Sequence, residues 1–177
     1  MYALARSDLR AILDGAYDLL GLVDPDELPG AMLEVVERLV RSDLASYNEI
    51  DLARRTATVV TAGGPSPDPD QVTVFAEHAL ENPLVAHQSS TGDPAPRRLS
   101  DFISARRFHR RPIYGLIYGP LGVEAQLTFA LSPPGADVVG FALSRQQGGF
   151  QRSRGGRPGG PAPAVGPDPG VVGGALA

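Results

Sequence analysis

"VEAQLTFAL", residues 123–131, decides the fold class. Val123, Ala125, Leu127, Phe129 and Leu131 fall on one side of an extended chain, and Glu124, Gln126, Thr128 and Ala130 on the other. This period-two pattern is that of a strand with one buried face. After the turn "SPPGAD", the stretch "VVGFALSR" at 138–145 repeats the alternation, with Val139, Phe141 and Leu143 on its inner side. The two read as antiparallel neighbours.

Working outward, "DLASYNEIDL" at 43–52 and "RTATVVTA" at 55–62 are alternating runs on either side of a charged turn at Asp51 to Arg55, which predicts a hairpin. Leu9, Ile12, Leu13, Ala16 and Leu20 recur at three- and four-residue steps, so residues 7–20 form a helix with one apolar stripe that needs a partner surface. A second helix follows Asp26, read as its cap, with Pro29 in the first turn and Leu28, Met32, Val35, Val36 and Leu39 on its apolar face. "GGPSPDPD" at 63–70 is a loop. Asp70 is read as the cap of a third helix, on which Val72, Phe75, Ala76, Ala79 and Leu80 share a face until Pro83 ends it. Strands cluster at the middle and end, with helices before and between them. The fold class is therefore α+β, an antiparallel sheet with helices packed against it.

The chain has 177 residues, enough for one domain with a core and too few for two ordinary ones. Its net charge of −4 opposes a general affinity for nucleic acid or anionic lipid. The absence of cysteine removes disulfide frameworks, thiolate metal sites and cysteine nucleophiles. No apolar run resembles a signal peptide or a membrane span, so the expected location is cytoplasmic, with no membrane partner.

One local exception to the acidic balance is "DFISARRFHRRPIYGLIYGPLG", 101–122, with four arginines, a histidine and four aromatic rings. Pro112 divides it into two short helical pieces, with Ser100 and Ser104 available as caps. Arg106 lies beside Arg110 and Arg107 beside Arg111, while Phe108 faces away. Ile113, Ile117, Tyr114 and Tyr118 turn inward. The stretch reads as a wet basic face over an aromatic patch rather than as a grip on a polyanion.

Catalytic machinery is not legible. His78, His87 and His109 fall in different elements, so no metal site is expected. The carboxylate pairs Asp24 and Asp26, and Asp68 and Asp70, stand beside prolines at helix starts, where capping explains them. No nucleophile and base are paired and no cofactor is implied, so the chain is not read as an enzyme.

Four stretches together, "ASYNEID", "ENPLVAHQSSTGDPAPRRLSDFIS", "RRFHRRPIYGLIYGPLGVEAQLTFAL" and "VVGFALSR", resemble the N-terminal GAF-like domain of LuxR-type helix-turn-helix transcriptional regulators. The likeness spans roughly residues 6–145 and is most specific from Arg98 to Leu131. It implies a GAF-like sheet, a non-enzymatic sensory or dimerising role, and a small-molecule effector and a second copy of the chain as partners. No ligand-contacting signature carries over from the family. Side-chain chemistry nominates Tyr47, Phe75, Phe108, Tyr114, Tyr118 and Gln126 as pocket residues at the open face of the sheet. A small-molecule module acting alone is the alternative reading.

The likeness stops at Gln146, where the family would continue with a closing helix and a DNA-binding domain. Residues 146–177 form a second region, half glycine or proline from 148 onward, and are expected to be disordered. The basic "RSRGGRPGG" within them permits a weaker reading as an RNA-binding tail. A shift of reading frame explains the region better: synonymous codons for 151–160, read one base later, spell Ser-Glu-Ala-Glu-Ala-Ala-Ala-Leu-Glu, a capped helix start. On this reading the chain lacks its DNA reader and binds no DNA itself. The stripe of the first helix is left uncovered, and the product is marginal or sticky.

Overall fold

The computed structural model describes residues 5–62 and 67–150. The expectations for residues 151–177 lie outside the described residues. In chain order the elements are α1 (Arg6–Leu20), α2 (Leu28–Leu39), β1 (Leu44–Asp51), β2 (Thr56–Ala62), α3 (Pro69–His78), α4 (Pro83–Thr91), β3 (Arg97–Arg98), α5 (Ala105–Phe108), β4 (Ala125–Ala130) and β5 (Asp137–Arg145). A π-type turn at Tyr114–Tyr118 precedes β4.

The five strands form one antiparallel sheet in the order β2-β1-β5-β4-β3. The α+β class and both expected strand pairings are present. Tyr47 stands opposite Val60 on one side and Phe141 on the other, and Phe141 stands opposite Phe129. This register stacks three rings across three strands, at centroid distances of 5.4 Å for Tyr47–Phe141 and 5.1 Å for Phe129–Phe141. Leu33 of α2, with Met32 and Val36 beside it, seals that face. Leu33 is fully buried although it was absent from the apolar face expected for this helix. α1 then packs on the outside of α2, where Gly15 lets Val35 approach and Asp18 pairs with Arg38 at 2.6 Å.

The other face corrects the sequence reading. Gln126, Thr128 and Ala130 do point away from Leu127 and Phe129, but into protein, and each is at least 94% buried. α3, α4 and residues 112–123 cover this second face, so the alternation marks two buried sides of different polarity. A strand with covered polar residues on one face and a strand with wet ones have the same period, and periodicity alone cannot separate them.

Helix starts are corrected as well. Asp24, not Asp26, accepts from the Asp26 backbone N–H at 2.9 Å and caps a short 3-10 turn ahead of α2. Asp68, not Asp70, caps α3, accepting from the Asp70 N–H at 2.8 Å. In each case the carboxylate sits one place before a proline that is free to occupy the first helical position. Pro83 ends one helical run and begins another, α4, which the sequence reading did not contain.

Candidate functional site

Between the second face of the sheet and its cover lies a cavity of about 190 Å³. One wall is β1, β2 and β5, presenting Ser46, Asn48, Val59 and Ser144. The opposite wall is Val72 and Phe75 of α3 with Ile117 and Leu121 of the segment before β4. Among the described residues, none that lines the cavity carries a formal charge.

Asn82 sits at the centre of the polar end. As the N-cap of α4 it accepts from the Leu84 N–H at 2.9 Å, which fixes which end of its amide is oxygen. The amide nitrogen is then turned to Tyr118 and Gln126, donating to the Tyr118 hydroxyl at 2.7 Å and to Gln126 Oε1 at 2.8 Å. Gln126 Nε2 donates in turn toward Ser144 Oγ at 3.4 Å. One turn along α4, Gln88 donates to Thr128 Oγ1 at 3.0 Å. These are buried, neutral, hydrogen-bonded groups at one end of a cavity whose other polar lining residues, Ser46, Asn48, Thr61 and Gln71, are also uncharged, and a few placed polar groups among apolar walls are the usual division of labour in a small-molecule site.

Tyr118 reaches this cluster because the chain before it is wound wide. The Gly119 N–H bonds to the Tyr114 carbonyl five residues back, at 2.6 Å. The segment is held by Glu81, whose carboxylate accepts from the Ile113 N–H at 3.0 Å and whose carbonyl accepts from Arg111. The hydrogen bond to His78, ahead of the contacts with Ile113 and Arg111, holds the Glu81 carboxyl below its ordinary range. Burial pushes the Tyr118 hydroxyl up to about 12, against the opposing pull of the Asn82 and Gln126 amides. The phenol therefore keeps its proton at any physiological pH, accepts from Asn82 and retains one hydrogen to donate.

Of the six residues nominated from sequence, Phe75, Tyr118 and Gln126 line the cavity. Tyr47 lies on the opposite face of the sheet, edge-on to Phe141, with its hydroxyl donating to Glu49 at 2.7 Å. Phe108 packs behind Tyr118 at 5.3 Å, and Tyr114 turns outward to donate to Glu124 at 2.8 Å. Phe108 and Tyr114 support the wall without forming it. Asn82, Gln88, Thr128 and Ser144 were not nominated. Their signal lies in partners 36 to 44 residues away for the first two, which no local pattern contains.

No family profile and no curated protein sequence matches the chain. Solved structures do. The LBD domain of VqsR from Pseudomonas aeruginosa superposes with a TM-score of 0.56 at 9% identity, over 81% of this chain and 82% of that one. CepR2 from Burkholderia cenocepacia, described as an N-acylhomoserine lactone dependent transcription factor of the LuxR family, gives 0.55 at 10% identity, over 82% of each chain. A chromophore-binding domain of a Stigmatella aurantiaca phytochrome gives 0.48 at 19% identity, over 83% of this chain and 55% of that one. At these identities the first two likenesses are likenesses of fold.

The basic stretch is resolved by the same geometry. Arg106, Arg107 and Arg110 are exposed while Phe108 is buried, so the wet face over an aromatic patch is what forms. His78 bonds to Glu81 at 2.7 Å and His109 to Glu124 at 2.9 Å; His87 stands 3.5 Å from Asp93. Among the described residues no three His, Cys, Asp or Glu side chains gather as a metal site would require. No helix among them is long and apolar enough to cross a membrane.

Proposed function

We propose that this chain is the sensory domain of a LuxR-type regulator, and that it holds an uncharged small molecule in the cavity between the sheet and α3, α4 and the π-type turn. One observation carries the reading: among the described residues the lining is wholly uncharged, and its most buried polar cluster is neutral and already braced by Asn82. A carboxylate or ammonium ligand would be stripped of water there with no counter-charge, at a cost of several kcal/mol. A neutral ligand with a carbonyl would accept a hydrogen bond from the Tyr118 hydroxyl and lay its apolar part against Val72, Phe75 and Ile117. The fold shared with VqsR and CepR2 supports the sensory role, and among the described residues lining the cavity no hydroxyl stands beside a charged base, which favours binding over turnover.

The test is ligand-dependent thermal stability with two matched panels. N-acylhomoserine lactones and other neutral amides and esters form one, and their ring-opened or hydrolysed carboxylates the other. Stabilisation by members of the first panel alone is the expected result; stabilisation by carboxylates, or by nothing in either, removes the reading.

A further inference from the structure

The cavity has a second polar end, on β1. Its floor is laid out by the strand register: Ser46 stands opposite Ala142 and Ala142 opposite Thr128, and in the next row Asn48 stands opposite Gly140 and Gly140 opposite Ala130. Residues paired across an antiparallel sheet share a face, so Ser46 and Asn48 lie two strands away from Thr128 and Gln126, roughly 10 Å at the Cα atoms. Between them β5 offers only a glycine and a methyl group, Gly140 and Ala142, and the opposite wall is Val72, Phe75 and Ile117. The cavity is therefore a trough with an apolar middle and uncharged polar groups at both ends.

The hydrogen bonds at the two ends leave opposite groups unused. At the β4 end Tyr118 accepts from Asn82 and Thr128 accepts from Gln88, so each hydroxyl keeps a hydrogen to donate. At the β1 end Asn48 Nδ2 donates to Ser46 Oγ at 3.0 Å and reaches the Ser46 carbonyl at 3.3 Å. A main-chain carbonyl only accepts, which fixes the amide nitrogen on that side. Among the described residues Asn48 Oδ1 accepts no hydrogen bond. An alkyl tail laid across Ser46 and Asn48 would strip water from that oxygen and return nothing. A hydroxyl or amide N–H there would satisfy it. We infer that the ligand is two-ended: a neutral molecule with an acceptor at the Tyr118 and Thr128 end, a donor at the Asn48 end, and an apolar middle over Gly140 and Ala142. This rests on the proposed function, because it takes the cavity to be a binding site, and it sets the site apart from one shaped for a single polar head and an alkyl tail.

Matched pairs of probes test this on the unmodified chain. Para-hydroxybenzamide and ω-hydroxyhexanamide each carry a carbonyl at one end and a hydroxyl at the other; benzamide and hexanamide lack only that hydroxyl. In at least one pair the two-ended probe should bind roughly fivefold or more tightly than its partner, measured by titration of the protein's amide resonances. It should shift the side-chain amide signals of both Asn48 and Gln126, where its partner shifts Gln126 alone. Asn48→Leu should erase the difference within the pair. A smaller preference in both pairs, or one that survives in Asn48→Leu, overturns the proposal and makes the β1 end a wet rim of the cavity. If Asn48→Leu does not fold, the paired affinities and the Asn48 signal of the unmodified chain still decide. Stabilisation by N-acylhomoserine lactones or one-ended amides, with no preference for the two-ended probes, removes this inference and leaves the sensory reading standing; silence from every neutral compound removes both.

Discussion

At the scale of single residues, Tyr118 and Asn82 divide the work of the polar cluster. Tyr118→Phe removes the buried hydroxyl and leaves one Asn82 hydrogen without its acceptor. On the proposed reading it abolishes ligand-induced stabilisation and costs the empty protein about 1–3 kcal/mol, measured by urea unfolding with and without ligand. Asn82→Ala loses the cap of α4 as well as the amide bridge and should cost more, about 2–4 kcal/mol. A second residue-scale effect is electrostatic. The Asp93 carboxyl accepts from the Ala95 N–H at 2.9 Å and from Arg97, with His87 nearby, and these bonds hold it down to about 2. A folded-state value below the unfolded one, about 3.9, means the unfolded chain takes up the proton more readily. Its stabilising contribution is complete above about pH 4 and is lost as the pH falls through about 2. Melting temperature measured from pH 5 to pH 2 should fall less steeply in Asp93→Asn than in the parent chain.

At the scale of elements, β4 and β5 approach so closely that position 140 tolerates no side chain: a Cβ at Gly140 would lie 2.4 Å from the Phe129 carbonyl oxygen. Because the obstacle is backbone, it cannot rotate away. Gly140→Ala should cost about 2–4 kcal/mol and broaden the amide resonances of β4, the strand that carries Gln126 and Thr128. Four of the five strands were legible because alternating runs admit few other readings, and α1 was legible from its stripe; the two-residue β3, Arg97–Arg98, is too short to carry a period and was not read. α4 was not. Pro83 serves equally as the stop of one helix and the first position of the next, and the deciding cap, the Asn82 side chain, resembles any loop asparagine in sequence. The cavity suffered the same loss of information: Phe75, Tyr118 and Gln126 were found by residue type, but Tyr47 is equally aromatic and belongs to the other side of the sheet. Which face a strand residue occupies follows from parity; whether that face is covered follows from elements far away in the chain.

At the scale of the molecule, the proposed ligand acts as a structural member, since it would fill the space that separates α3, α4 and the π-type turn from the sheet. A ligand present at a hundred times its dissociation constant adds about 2.7 kcal/mol, which for a chain of this size raises the melting temperature by roughly 5–10 °C. Differential scanning fluorimetry against ligand concentration checks this, and a flat response excludes an effector from the panel used. The π-type turn also has an implication for comparing relatives of this chain. Its wide winding accommodates one more residue than a regular helix would need between Arg111 and Val123, and that surplus is what carries the Tyr118 phenol to Asn82. A descendant that no longer answered to an effector could discard the surplus residue and gain ordinary helical bonding in return. On the proposed reading, the length of this short segment in a relative would therefore tell whether its cavity still holds an effector.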